Sequence, residues 1–450
     1  MNRPAQTPLD SQRKTSDMTE TDLARRFLTD FHEVARIGAT EHQGVERQAA
    51  TDEDRQTRNW FAGFARERGW KVDVDGIGNV FATIELVPGA PAVLTGSHLD
   101  SQPRAGRFDG AYGVLASLHA AAEVERRVRA GEVQARNNLV VVDWFNEEGS
   151  RFAPSIMGSS VHAGLMDREE TLAVRDLAGT SVRDALTAIG YLGDADGPRE
   201  PAAYAEIHIE QGRILEREGV EIGAVDSSWY TQKLDIEVLG EQSHTGATAM
   251  EDRRDALVGA ARVTLLVRDI CAEFPPGTLV SSVGQMTVEP NSPIVVNSRV
   301  HLVADLRAND PAIVQEARDR LMARIARVAD EERLDIAAND FDIRPNRYFP
   351  QEGIALQERV AGDLGLSIRR MQTMAGHDSV AMNTITPSVM MFVPSVDGVS
   401  HCEREFTTDD DMVRGVSMLT GVLAELVAGA LDGVAYPGTA PEGTALEGAR

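Results

Sequence analysis

The sequence predicts an α/β protein: a core built on a mixed, mostly parallel sheet and interrupted by a smaller inserted α+β unit of βαββαβ order. Three observations carry that prediction. At 450 residues the chain exceeds what one hydrophobic core usually fills. Short apolar runs alternate with stretches of helical period, the pattern of strands joined by crossover helices. Between residues 227 and 348 the rhythm changes to a self-contained set of strands and helices, after which core-type segments resume. The expected organisation is a core of residues 18–226 and 349–434, an inserted unit of 227–348, and disordered tails at 1–17 and 435–450. The tails are expected to be disordered because the first is polar and the second is rich in Gly, Pro, Ala and Glu.

Each element follows from a local signal. Asp52 to Gly69 reads as a helix, with Trp60, Phe61 and Phe64 at helical spacing, and Trp70 to Val74 and Asn79 to Leu86 read as strands. Ala92 to Ser97 is a short apolar run that delivers His98 to a strand's C-terminal edge, where open α/β sheets place their sites. A helix to Arg129 follows, with Asp109 expected as its N-cap. Asn138 to Phe145 is an apolar strand that ends in Asn146, Glu147 and Glu148. The inserted unit reads as strand Gln232 to Leu239, helix Asp252 to Phe274, strands Leu279 to Val288 and Ser298 to Leu306, helix Pro311 to Ala329, and strand Leu334 to Arg344. Core patterns return at Gly353 to Leu364 and Ser388 to Pro394.

Composition narrows the function classes. A net charge of -25 argues against nucleic acid and anionic membrane as partners, because phosphate binding needs a basic footprint. No stretch approaches the roughly 20 apolar residues of a membrane span, and the first residues lack the apolar centre of a secretory signal. The two cysteines, Cys271 and Cys402, give no disulfide framework and fit a reducing compartment, so a cytoplasmic location is expected.

Five islands hold the chemistry. In Gly96-Ser97-His98-Leu99-Asp100-Ser101, His98 and Asp100 share one face of an extended segment, the spacing of a metal ligand and the carboxylate that orients it. Eleven residues after His98 stands Asp109, a carboxylate that could bridge two ions. Glu147 and Glu148 leave their strand toward different sides, so one can bind metal while the other serves as a base, and spacing alone does not choose between them. His208, in Ile207-His208-Ile209-Glu210-Gln211-Gly212, ends a further strand, and His401 follows the strand Val389 to Val393. Imidazoles and carboxylates in this mix suit a pair of zinc-like ions about 3.5 to 4 Å apart, which lower the pKa of a water while a free carboxylate takes its proton.

With these motifs the chain resembles the amidase/hydantoinase/carbamoylase branch of the dinuclear aminoacylase-type metallohydrolases, which includes N-carbamoyl-L-amino acid hydrolase, β-ureidopropionase and allantoate amidohydrolase. The match covers nearly the whole chain and also rests on Gly106-Arg107-Phe108-Asp109-Gly110, Ser150-Arg151-Phe152 and Gly376-His377-Asp378. The resemblance implies that His98, Asp109 and His208 hold one divalent ion, and that Asp109, Glu148 and His401 hold the other. Zinc is the expected metal, with manganese, cobalt or nickel as alternatives. Glu147 becomes the general base and Asp100 the partner of His98. The inserted unit becomes a lid and dimerisation domain, which makes the protein a homodimer. His244 looks like the histidine that stabilises the carbonyl oxyanion, reaching across the dimer into the partner's site. Asn291 and Arg307 look like a carboxylate clamp, and Gln211, Gly376 and His377 complete the substrate pocket.

Three departures from the family pattern fall on loops that border the pocket: Ala249 where proline is common, Ser379 where alanine is common, and the stretch Gln102 to Ala105. The expected reaction is hydrolysis of a small carboxylate-bearing ureido substrate, first an N-carbamoyl-L-amino acid to L-amino acid, CO2 and NH3. Allantoate, ureidoglycolate or β-ureidopropionate hydrolysis is the alternative. An aminoacylase or dipeptidase is a further alternative, against which the His208-to-Gly212 island argues, and a non-catalytic metal-binding module is the last, against which the presence of Glu147 argues. His32, His42, His119, His162 and His301 are expected to be structural, as is Cys402.

Overall fold

A computed structural model describes residues 20–436. Apart from Ala435 and Tyr436, the expected tails lie outside the described residues. In chain order the strands are β1 (Lys71–Val74), β2 (Val80–Ile84), β3 (Ala92–His98), β4 (Asn138–Trp144), β5 (Ala203–Ile209), β6 (Ile222–Ser228), β7 (Tyr230–Leu239), β8 (Ser243–His244), β9 (Leu279–Glu289), β10 (Val295–Val296), β11 (Arg299–Ala308), β12 (Asp335–Arg344), β13 (Ile368–Thr373) and β14 (Ser388–Val393). Eight of them form one mixed sheet in the order β1-β2-β4-β3-β5-β14-β6-β13. Its centre, β4-β3-β5-β14, is parallel throughout, whereas β1, β2 and the β6–β14 pair add antiparallel contacts.

The central strands are buried on both faces, which is why β4 (NLVVVDW) and β14 (SVMMFV) read as mainly apolar runs rather than alternating ones. Helices Ala111–Arg129 and Asp409–Val427 cover one face together with Glu20–Val34, and Phe27, Phe31, Tyr112 and Leu419 meet in that core. Because β3, β4, β5 and β14 run the same way, their C-terminal ends share one edge of the sheet.

The second sheet is antiparallel, in the order β12-β7-β11-β9, and has its own hydrophobic cluster under helices Ala256–Asp269 and Pro311–Glu332. In β11 burial alternates strictly: Val300, Leu302, Ala304 and Leu306 face the helices, whereas Asp305 and Arg307 face away from them.

The structure departs from the expected elements at three places. The helix expected from Asp109 starts at Ala111 behind Gly110, which takes φ 64° and makes no side-chain cap. The Asp109 side chain is therefore not a cap, and its carboxylate turns to the strand-end histidines instead. The helix expected from Asp252 starts at Ala256, because Asp255 caps it by accepting from Leu257 N and Val258 N, and residues Met250–Asp252 form a 3-10 turn. Strands β6 and β13 carry no clear sequence signal: β6 holds Gly223 and ends in Asp-Ser-Ser, and β13 is an edge strand with Arg369 and Arg370. Among the described residues, no helix is long and apolar enough to cross a membrane.

A fully buried charge cluster supports the edge where the site lies. Arg58 Nε donates to Asp54 Oδ1 at 2.9 Å, and its Nη1 lies 3.5 Å from Asp143 Oδ2. Asp143, whose carboxyl burial pushes up to about 6, accepts from Leu99 N at 3.0 Å and so holds the loop after His98. Arg58→Met removes the cation and leaves two buried carboxylates unpaired, so chemical denaturation should show a loss of about 3–5 kcal/mol.

Candidate metal centre

The site is assembled from strand ends. His98 closes β3, Glu147 and Glu148 follow β4, His208 lies one residue from the end of β5, and His401 follows β14. Asp109 sits at the turn before the helix Ala111–Arg129. Two groups of donors result, each with its ligand atoms within 4.8 Å of one another: His98, Asp109 and His208, and Asp109, Glu148 and His401.

Asp109 belongs to both groups through different oxygens. Its Oδ1 lies 2.9 Å from His208 Nε2 and 3.5 Å from His98 Nε2, and its Oδ2 lies 3.2 Å from His401 Nε2. Gly110 is required here, because a Cβ at that position would stand 2.3 Å from the His98 ring and its φ of 64° is in the left-handed region.

The imidazoles are fixed by their other nitrogens. His98 Nδ1 donates to the Asp100 carbonyl at 2.9 Å and His208 Nδ1 donates to the Ile209 carbonyl at 2.8 Å, so both Nε2 lone pairs face the centre. Gly110 N, which points at His208 Nε2 from 3.2 Å, agrees with that tautomer. The Asp100 contact is a correction: its carboxylate, 3.6 Å from His98 Nδ1, is not the hydrogen-bonding partner, and its backbone carbonyl is. The carboxylate instead accepts from Glu147 N at 3.2 Å and Glu148 N at 3.3 Å, and so sets the turn that separates the two glutamates.

That separation distinguishes them. Glu148 accepts from Gln102 N at 3.1 Å and Gln102 Nε2 at 3.0 Å and lies 3.5 Å from His401 Nε2. The Glu147 carboxylate has no hydrogen bond among the described residues, and the nearest imidazole nitrogen is His98 Nε2 at 3.6 Å. Burial pushes the Glu147 carboxyl up to about 7, with the Glu148 and Asp109 charges adding to the rise and His98 opposing it. Burial alone would raise Asp109 too, yet His208, His401 and His98 hold it well below the usual carboxylate range.

The donors suit divalent cations: imidazole lone pairs aimed inward, one carboxylate spanning two groups, and buried acids that lack a permanent cation. The same demand for positive charge appears on His401, which burial would lower but which Asp109 and Glu148 raise to about 10.

A cavity of about 250 Å³ opens above the donors and is closed by the second sheet. Gln211, Gly376 and His377 line it from the core, and Arg307 reaches it from β11. Gln211 Nε2 donates to Asp109 Oδ2 at 2.8 Å, whereas its Oε1 is buried without a partner among the described residues, as is His377 Nε2. Burial and the neighbouring His208, 4.7 Å away ring to ring, hold His377 well below its usual pKa and therefore neutral. His244 and Asn291 do not line this cavity. They are exposed, on β8 and on the turn before its partner β10, and His244 Nδ1 accepts from Gly246 N and Ala247 N, which leaves Nε2 as the donor.

Sequence reasoning missed several groups. Glu405, in the Ser400 island, is buried and accepts from Phe108 N, Asp109 N and Ser400 Oγ, so it holds the bridging aspartate in place. Its signal was its position four residues after His401, with no feature to tell it from a surface glutamate. Left-handed backbone at Asn146, Gln211 and His401, each with φ of 51–58°, concentrates strain around the cluster, and outside Asn146 it falls on residues that give little sequence signal for it.

A mostly parallel sheet whose strand ends converge on paired imidazole and carboxylate groups is the architecture of a metal-dependent hydrolase. The model of peptidase family M20/M25/M40 matches residues 94–425. A putative hydrolase of Mycolicibacterium smegmatis is 50% identical over 93% of this chain and 97% of its own length. An N-carbamoyl-L-amino-acid amidohydrolase of Rhizobium meliloti is 36% identical over 89% of this chain and 96% of its own. The crystal structure of a hydantoinase/carbamoylase family amidase from Burkholderia vietnamiensis superposes with a TM-score of 0.85 at 39% identity, covering 89% of this chain and 97% of that one. The chain belongs to the M20 family, in its hydantoinase/carbamoylase amidase branch, and is a hydrolase of C–N amide bonds.

If Glu405 positions Asp109, Glu405→Ala should weaken divalent-metal binding about 10–100-fold, as losses behind a ligand commonly do, in a titration followed by metal analysis.

Proposed function

We propose that this enzyme hydrolyses the carbamoyl C–N bond of a small ureido acid, with N-carbamoyl-L-amino acids as the leading substrates and allantoate, ureidoglycolate and β-ureidopropionate as the alternatives. One observation carries the reading: the Asp109 oxygens are split between two donor groups, with an uncommitted carboxylate, Glu147, alongside. The relative from Rhizobium meliloti, named for N-carbamoyl-L-amino acids, supports the same substrate class.

In this proposal His98, Asp109 and His208 hold one divalent ion and Asp109, Glu148 and His401 a second, with zinc the default for such ligands. Bound there, the ions supply Lewis acidity and make a water acidic near neutral pH. Glu147, on the free side of the turn that Asp100 sets, accepts the proton of the attacking water and delivers it to the leaving nitrogen. The carbamate released decomposes to CO2 and NH3. Arg307 binds the substrate carboxylate, with its orientation fixed by Asp305 and the Met374 carbonyl. Gln211 and His377 offer the buried, unpartnered atoms that hold the ureido group.

His244 and Asn291 serve the site of a second copy, with His244 Nε2 donating to the carbonyl oxygen there. Their exposure beside Ile294, together with exposed Leu257 and Leu265 on the helix Ala256–Asp269 and Val280 and Met286 on edge strand β9, supports a homodimer formed through the second sheet and its helices. That unit is also proposed to act as a lid over the cavity, and the two free thiols support a cytoplasmic location.

Ammonia release from N-carbamoyl-L- and D-amino acids, β-ureidopropionate, allantoate and N-acetyl amino acids tests the reaction; cleavage of the acyl compounds alone would make this an aminoacylase. Glu147→Gln should keep its metal and lose about 10²–10⁴-fold in kcat, whereas His98→Ala should lose metal as well. Light scattering that shows a monomer at working concentration would remove the dimer and with it the role of His244.

A further inference from the structure

The wall facing the metal-binding edge carries three cationic side chains, more than one substrate carboxylate needs as hydrogen-bond donors, although Asp305 and Asp342 offset part of their charge. Besides Arg307, it holds Lys233 from β7 and Arg344 from the end of β12. The register of the second sheet aligns Arg307, Thr231 and Arg344 in one row across three strands, with Asp305 opposite Lys233 in the next. On the β12 side the register shifts between Phe341 and Ile343, which leaves Asp342 bulged out with φ 47°. A bulge re-aims a side chain, and a left-handed aspartate is costly unless its surroundings hold it.

They do. Asp342 Oδ2 accepts from Lys233 Nζ at 2.8 Å and from Arg344 Nη2 at 2.8 Å, and Oδ1 accepts from Arg344 Nε at 2.7 Å. Arg344 Nη2 also donates to the carbonyl and hydroxyl of Ser155 at 3.0 Å. Both cations are thus fixed, and both keep donors in reserve. One of the three ammonium hydrogens of Lys233 is engaged among the described residues, and Arg344 Nη1 lies beside Gly376 in the cavity wall, 2.8 Å from where a Cβ would stand.

The rest of the cavity offers little to an apolar group. Ala375 is the one apolar side chain among its lining residues. Ile156, Leu165, Met166 and Ile343 line a different cavity, which shares Ser155 and Arg344 with this one as a common wall. A second ureido group would need acceptors for its N–H, and the Asp342 oxygens already take three.

We infer that Lys233 and Arg344, held by the bulge at Asp342, form a subsite for a second carboxylate, so that the substrate is an N-carbamoyl dicarboxylic acid whose acidic side chain lies opposite the ureido group bound at the metal centre. This rests on the carbamoylase reading above. It adds a specificity pair, distinct from Arg307, whose role is to recognise a side chain rather than the carboxylate common to all ureido acids.

The test compares kcat/KM of the metal-loaded enzyme for N-carbamoyl-L-aspartate and -glutamate with that for N-carbamoylglycine, N-carbamoyl-L-leucine and allantoate. A preference of about 10–100-fold for a dicarboxylate is expected, the size of one or two charge-assisted hydrogen bonds. Lys233→Met should bring that ratio down at least tenfold. Calorimetry of N-carbamoyl-L-aspartate binding to metal-loaded Glu147→Gln should show the same loss when Lys233→Met is added, a change in Kd independent of turnover. Equal or better turnover of the leucine compound or allantoate overturns the subsite while leaving the carbamoylase reading intact. Turnover of no ureido compound overturns both.

Discussion

One carboxylate governs the arrangement. Asp109 presents its two oxygens to different donor groups, Oδ1 to His98 and His208 and Oδ2 to His401, and the surrounding structure is shaped by that arrangement. Gly110 turns the chain through a conformation that other residues avoid and leaves room for the His98 ring. Glu405 binds the two amides that precede the turn, and Ser400 ties Glu405 in turn to the loop that carries His401. Burying so many acids is unfavourable without compensating cations.

The second sheet divides its two faces between different tasks. Period-two alternation sends Leu234, Ile236, Leu302 and Leu306 into a core of their own and turns Lys233, Asp305 and Arg307 toward the cavity. A single strand thus serves stability and recognition at once, and the bulge at Asp342 is the point where this alternation is broken so that a third strand can contribute.

Much of this was legible in the sequence, for identifiable reasons. The buried parallel strands are largely apolar, so each histidine or glutamate at a strand end stood out against its run, and the five donor residues fall into two groups that share Asp109. Local pattern misled where tertiary contacts decide. Asp109 has the residue type and position of an N-cap, yet the histidines opposite it, remote in sequence, claim its side chain. Asp100 has the spacing of a histidine's carboxylate partner, yet the main chain reaches His98 first. Lys233 and Arg344 attract no notice in a linear reading, since only pairing across β7 and β12 brings them together, and the register slip that does so is invisible without the strands.

The order of the donors along the chain has a consequence for how the protein is made. His98, Asp109 and His208 all precede the inserted unit, on strands that pair directly with one another or on the turn between them, whereas His401 arrives only after that unit and β14. During synthesis one donor triad is therefore complete when less than half of the chain exists, and the other waits for nearly all of it. A metal ion captured early would clamp β3 to β5 before β14 is available to take its place beside β5, making the two halves of the centre unequal in history even though they share an aspartate.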